Sequence, residues 1–138
     1  MKIFKILLIT ITVYCNTAMA LPDTIVDTPT YDKLTGIFTC QVHNVGVDPI
    51  GVVTIGVRYT VDGTSRGWGS ATGPLAAGAS VAIGTNSPTP LYIIPDGQHT
   101  IDYWVDDLNR FAESNETNNH FIYNVLRKYC RVNFKAHF

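Results

Sequence analysis

A polar segment near the C-terminal end of the chain, residues 106–119, lies between two runs with a two-residue period. In the first run Ile101, Tyr103 and Val105 share one side, and in the second run Phe121, Tyr123 and Val125 do. A period of two predicts strands with one buried face. The two runs therefore predict an antiparallel hairpin. Its loop is longer than a hairpin needs, and such loops are either cross-braced or functional.

Further strands are predicted along the preceding part of the chain. Their expected ranges are 22–27, 36–43, 53–61, 66–71 and 80–85, with a short apolar piece at 91–94. Turn residues separate them, and Asp62-Gly63 is a strong signal for a two-residue hairpin loop. Short strands at regular spacing, without a helical period, predict an all-β protein. The expected fold is a two-sheet antiparallel β-sandwich of about seven strands.

Four short motifs and the polar loop together resemble the CARDB family, the "cell adhesion related domain found in bacteria". The loop contributes Asn109 and the stretch from Glu113 to Asn119. The four motifs, in order, are 42–46 (VHNVG), 59–63 (YTVDG), 75–81 (LAAGASV) and 97–101 (GQHTI). The resemblance covers most of the chain from Asp23 to Val125. It implies an immunoglobulin-like sandwich that serves as one module of a secreted or surface protein and has no enzymatic activity.

The N-terminal residues predict export. Lys2 and Lys5 precede an apolar run from Ile6 to Tyr14, and Ala18-Met-Ala20 provides the small residues before a cleavage site. This is the pattern of a secretory signal peptide over residues 1–20. The apolar run is too short for a membrane anchor, since about 30 Å of hydrocarbon must be crossed. The expected domains are then the signal, a CARDB-like sandwich at 21–126 and a C-terminal extension at 127–138, in a secreted or periplasmic protein.

Charge and motifs exclude two classes of function. Without the signal peptide the chain has 8 basic and 11 acidic residues, a net charge of −3. No basic surface for nucleic acid is therefore expected. The stretch Gly63-Thr-Ser65-Arg-Gly67 matches a hydrolase pattern, but that pattern requires a strand-to-helix turn in an α/β sheet. We therefore expect no catalytic residue and no enzymatic activity.

The predicted mature chain keeps two of the three cysteines, Cys40 and Cys130. Disulfides persist in exported proteins, so an even pair favours a bond between them. On the chain-entropy model such a bond stabilises by roughly 4 kcal/mol. The alternative is a buried free Cys40 with Cys130 free in the C-terminal extension.

The polar loop is rich in oxygen ligands of the kind that Ca²⁺ prefers. The candidate calcium ligands are Asp106, Asp107, Asn109, Glu113 and Glu116. Their spacing does not match the calcium-loop pattern, and Asp and Asn also satisfy backbone groups in turns. Structural bracing of the loop is therefore the favoured interpretation, with calcium as the alternative.

Two interpretations of function follow. The first is a secreted, non-catalytic binding or adhesion module that presents loops and edge strands to a protein or glycan partner, with Trp68 as a candidate binding residue. The second is a calcium-stabilised accessory protein of the cell envelope, or a small exported effector.

In the C-terminal extension, basic residues alternate with Tyr129, Val132 and Phe134. This alternation favours an added edge strand over a membrane-binding patch.

Overall fold

A computed structural model describes residues 20–85 and 92–128. Within them the chain forms strands and no helix, so no helix there is long and apolar enough to cross a membrane. The signal peptide predicted at residues 1–20 lies almost wholly outside the described residues, as does most of the C-terminal extension. The strands are β1 Thr24–Tyr31, β2 Phe38–Asn44, β3 Thr54–Val61, β4 Thr64–Thr72, β5 Ser80–Gly84, β6 Gly97–Val105 and β7 His120–Arg127.

The strands form two antiparallel sheets. One has the order β1-β2-β5 and the other β4-β3-β6-β7. The predicted all-β sandwich and the hairpin of β6 and β7 are thus confirmed. The Asp62-Gly63 turn is confirmed too, with φ of 51° and 72°, the left-handed conformations that a two-residue hairpin loop of this kind requires.

Two predicted elements differ from the structure by more than two residues at a boundary or in type. Strand β1 continues past Asp27 to Tyr31. Its register with β2 shifts between Asp27 and Thr30, and Thr28 in this bulge takes a φ of 43°. The bulge interrupts the alternation on which the prediction depended. The described part of the apolar piece 91–94 is not a strand, and Ile94 is nevertheless fully buried.

The core lies between the inward faces of the two sheets, and aromatic rings dominate its centre. Phe38 stacks on Tyr59, and Tyr59 meets the ring of Tyr103 edge-on at 5.1 Å between centroids. The buried Tyr59 hydroxyl donates to the carbonyl of Ile83 on the opposite sheet at 2.8 Å. This bond satisfies a polar group that would otherwise be costly to bury, and it ties the two sheets together.

Cys40 is a free thiol in the structure and points into this core. Its sulfur lies 3.9 Å from the hydroxyl of Tyr59 and 3.8 Å from the carbonyl of Ile83. Burial raises the pKa of the thiol to about 11. The predicted bond to Cys130 is not seen, and Cys40 stands as a free thiol at an inward position of β2. Cys130 itself lies outside the described residues.

Several loops meet at one end of the sandwich, which we call the loop end. The strand register places the end of β6 beside the start of β7 and near the start of β3. The end of β2 pairs with the start of β1, which hydrogen bonds connect to the β6–β7 loop. The loop end therefore comprises residues 20–23, 45–53, 73–79 and 106–119.

Candidate functional site

Asp106 begins the polar loop and is completely buried. Its carboxylate accepts the backbone N–H groups of Arg110 at 2.9 Å and Phe111 at 3.4 Å, and its carbonyl accepts the N–H of Asn109. Asp106 and Asn109 both take left-handed backbone conformations, with φ of 47° and 48°. The side chain thus closes a tight turn by replacing backbone partners. This is the bracing role favoured from the sequence.

Asp107 joins the loop to the outer face of the four-stranded sheet. One oxygen accepts Nε and Nη2 of Arg58 at 3.1 and 2.8 Å. The other accepts Nη1 of Arg110 at 3.1 Å and the indole N–H of Trp68 at 3.3 Å. Two guanidinium groups therefore neutralise this nearly buried carboxylate. The structure brings Trp68, the predicted binding residue, to Asp107, and the guanidinium of Arg110 covers its ring.

Glu113 joins the loop to the first strand and is also buried. Its Oε1 accepts the backbone N–H and the hydroxyl of Thr24, and Oε2 accepts Nδ2 of Asn119. Neighbouring bonds reinforce this connection, since Ser114 N–H donates to the Pro22 carbonyl and Asn118 Nδ2 to Asp23. Glu113 therefore fixes both the start of β1 and the start of β7.

The five candidate calcium ligands do not converge on one point. Glu116 is exposed and accepts the backbone N–H of Glu113, while Asn109 is an exposed turn residue. Protein donors already occupy the carboxylates of Asp106, Asp107 and Glu113. Among residues 20–85 and 92–128, no three His, Cys, Asp or Glu side chains are placed to hold a metal ion together. Calcium binding at these residues would require those donors to be displaced.

Calcium is accordingly expected to leave the melting temperature unchanged. Binding would have to displace N–H groups and guanidinium groups from buried carboxylates, and each unpaired donor would cost roughly 1–3 kcal/mol. The measurement is thermal unfolding in EGTA and in excess Ca²⁺. A calcium-dependent rise that disappears in Glu116→Ala would contradict the expectation and restore the predicted site.

Two carboxyl groups of the loop have raised pKa values. Burial is the main cause for Asp106 and for Glu113, and the charge of Glu116 adds to both shifts. Hydrogen bonds to the two carboxylates act in the opposite direction but are outweighed. Deprotonation of these groups therefore costs more in the folded than in the unfolded protein.

Stability is expected to increase as the pH falls from neutral into the range just above the ordinary pKa values of 3.8 and 4.5. A raised folded pKa gives this sign, because the folded state then takes up protons first. At still lower pH, stability should fall. Hydrogen bonds lower the pKa values of the exposed Asp32 and Asp62, and their contributions disappear on protonation. Melting temperatures measured across the acid range test both the expected rise and the expected fall in stability. A steady decline from neutral pH would contradict the expected rise.

A row of aromatic and cationic side chains crosses the outer face of the four-stranded sheet. The register aligns one residue from each strand: Trp68, Arg58, Trp104 and His120. The guanidinium of Arg58 lies 4.9 Å from the centroid of the Trp104 ring, and the His120 ring stacks on Trp104 at 4.8 Å. These contacts cover Trp104 with side chains from β3 and β7. Arg58 and Trp68 of this row contact Asp107 of the polar loop, and Trp68 also contacts Arg110.

Four aliphatic side chains of the loop end are exposed to solvent. The exposed fractions are 53% for Val45, 74% for Val47, 77% for Val52 and 63% for Leu108. The backbone that carries the first two is held by the buried Asn44. Asn44 accepts N–H groups of Asp23 and Gly46 and donates to two carbonyls. Loops held by hydrogen bonds thus present apolar groups to solvent.

Sequence reasoning missed the partners of the loop carboxylates, namely Thr24, Arg58 and Arg110, and it missed the exposed valines. Arg58 carried one usable signal, since it is the one charged residue of β3. Thr24 carried none, because it is separated from Glu113 by 89 positions.

Comparisons with known proteins agree with this architecture. The CARDB family model matches residues 20–122. The crystal structure of the CARDB domain of a Pyrococcus furiosus protein, described as a complex with di-metal ions, is 22% identical with a TM-score of 0.57. It covers 80% of this chain and 96% of its own. A solution NMR structure of the same domain is 23% identical with a TM-score of 0.55, over 78% and 96% of the two chains.

At these identities the two solved structures establish a shared fold. No curated protein matches the sequence. The family match spans most of the chain and includes the braced loop and its buried Asp106, Glu113 and Asn119. The resemblance inferred from the motifs is thereby confirmed, and the chain belongs to the CARDB family.

Proposed function

We propose that this protein is an exported, non-catalytic binding module that holds a protein partner at the loop end. The observation that carries the proposal is the exposure of Val45, Val47, Val52 and Leu108 on loops with a fixed backbone. Membership of an adhesion-related family supports it. Exposed apolar side chains on the loops at one end of a sandwich are suited to contact a partner, as the loops of antibody variable domains do.

Rigidity of these loops favours binding. Asn44 and Asp106 use buried side chains to satisfy loop backbone, and Glu113 ties the polar loop to β1, so little conformational freedom remains to be lost when a partner docks. Loss of such freedom is one of the main costs of association. The hydrogen bonds that brace the polar loop therefore also support the proposed binding role of the neighbouring loops.

A protein partner fits this surface better than a glycan. Glycan sites combine open aromatic faces with hydrogen-bonding groups, whereas valine and leucine provide only aliphatic contact. The large aromatic groups on the outer face are already covered, Trp104 by Arg58 and His120 and Trp68 by Arg110. A calcium-stabilised structural role, the alternative, would require the buried carboxylates to release their present donors.

Site-specific photo-crosslinking in the producing cells tests the proposal. A photoreactive amino acid replaces Val52 or Val47 at the loop end, and Leu34 serves as the control. Leu34 is 85% exposed in the turn between β1 and β2, at the opposite end of the sandwich. We expect a defined protein adduct from positions 47 and 52 that is absent from position 34. No adduct, or the same adducts from all three positions, would contradict the proposal.

A further inference from the structure

Strand β7 is the last strand of the four-stranded sheet among the described residues. The direction of its backbone groups follows from its neighbours. Asp62 N–H donates to the Thr100 carbonyl on β6, and Val105 N–H donates to the Asn119 carbonyl. Even-numbered residues of β6 therefore bond to β3 and odd-numbered ones to β7. It follows that the N–H and C=O groups of Ile122, Asn124 and Leu126 point away from β6, along the outer edge of the sheet that the described residues form.

The other described edges carry features that discourage pairing. Strand β1 has a bulge at Thr28, β4 has a register shift opposite Tyr59 and Thr60, and β5 is only five residues long. Strand β7 is eight residues long and pairs with β6 without a shift. Edge strands that avoid partners are short, bulged or charged. Residues 121–126 of β7 have none of these protections.

The exposed side chains of β7 are self-complementary. Ile122 and Leu126 are both 61% exposed, and they lie on the same outer face at equal distances from Asn124. Suppose that a second copy of β7 runs antiparallel to the first, with the two Asn124 residues opposite each other. Ile122 of each copy then faces Leu126 of the other copy. The same register places all the outward N–H and C=O groups opposite one another, as an antiparallel ladder requires.

We propose that two copies of this protein associate through β7 about a twofold axis at Asn124, joining their four-stranded sheets into one continuous sheet. A second copy is favoured over an unrelated strand because one register satisfies both the backbone and the apolar pairs. Such an isologous contact closes on itself and does not propagate. The inference concerns a surface separate from the loop end and does not depend on the proposed function.

Sedimentation velocity of the purified protein over a wide range of concentration tests the proposal. The wild type should show a concentration-dependent dimer. Asn124→Lys and Asn124→Asp each place two like charges opposite one another and should weaken dimerisation by about tenfold or more. An equimolar mixture of the two variants should restore the dimer as a heterodimer, because position 124 faces itself. Leu34→Lys removes an exposed apolar side chain elsewhere and should behave as the wild type.

Thermal unfolding of each variant separates loss of association from loss of fold. The Asp variant keeps the oxygen that accepts the Thr100 hydroxyl, so it should remain folded even if the Lys variant is less stable. A wild type that stays monomeric at all concentrations overturns the proposal. So does a dimer that both charged variants leave intact, since another surface would then hold it. Failure of the mixture to recover the dimer overturns the register.

Discussion

Replacing Gly69 with alanine is expected to destabilise the protein by at least about 3 kcal/mol. Gly69 is buried where β4 approaches β5 of the other sheet. A Cβ atom there would lie 2.0 Å from the Gly84 carbonyl oxygen and 2.8 Å from its carbon. Because both contacts are with backbone, no side chain can move aside. The two sheets would have to separate at this edge, which would expose Ile83 and its neighbours in the core.

Chemical denaturation of Gly69→Ala and Gly51→Ala measures this effect. Gly51 is the matched control, because it is exposed and a Cβ atom at that position meets nothing within 4 Å. The control should unfold close to the wild-type midpoint. If Gly69→Ala also unfolded close to the wild-type midpoint, that result would contradict the close approach of β4 to β5.

Replacing Glu113 with alanine is expected to cost about 3 kcal/mol or more, because each buried donor left without an acceptor costs about 1–3 kcal/mol. The truncation leaves three buried donors without an acceptor: the N–H and hydroxyl of Thr24, and Nδ2 of Asn119. Each unpaired donor carries its own desolvation penalty. The start of β1 would lose its attachment to the polar loop, so amide hydrogen exchange should accelerate there as well as at the start of β7.

Glu113→Gln is the informative control for this network. Its carbonyl oxygen can still accept both bonds from Thr24, while its new NH₂ group faces Asn119. Asn119 Oδ1 is buried and has no partner, so rotation of that amide by a half-turn supplies the acceptor. We expect Glu113→Gln to lose much less stability than Glu113→Ala, and to lose the Glu113 part of the acid stabilisation. Equal losses in the two variants would contradict the hydrogen-bond assignment.

The strand pattern was accessible from the sequence because alternation reports burial on one face directly. Residues 97–105 and 120–127 illustrate this, since their inward positions match the predicted apolar sides. The pattern failed at β1, where a bulge shifts the alternation. It also failed at Ile94, which is buried without belonging to a strand.

The roles of the loop residues were only partly accessible. Their residue types indicated hydrogen bonding to backbone groups, and Asp106 has that role. The same residue types also suit calcium, and no spacing rule decides between the two uses. The hydrogen-bond donors of these carboxylates come from distant positions in the chain, including Arg58 for Asp107 and Thr24 for Glu113.

The sequence by itself determined the fold class, the succession of strands along the chain, the tight turn at Asp62 and Gly63, and membership of the family, because these depend on local alternation, turn chemistry and short motifs. Only the tertiary structure decided which carboxylate meets which donor, that Trp68 is covered, and that Val47 and Val52 are exposed. These properties depend on contacts between residues far apart in the chain. Such contacts are set by the register and packing of the two sheets, which no local pattern encodes.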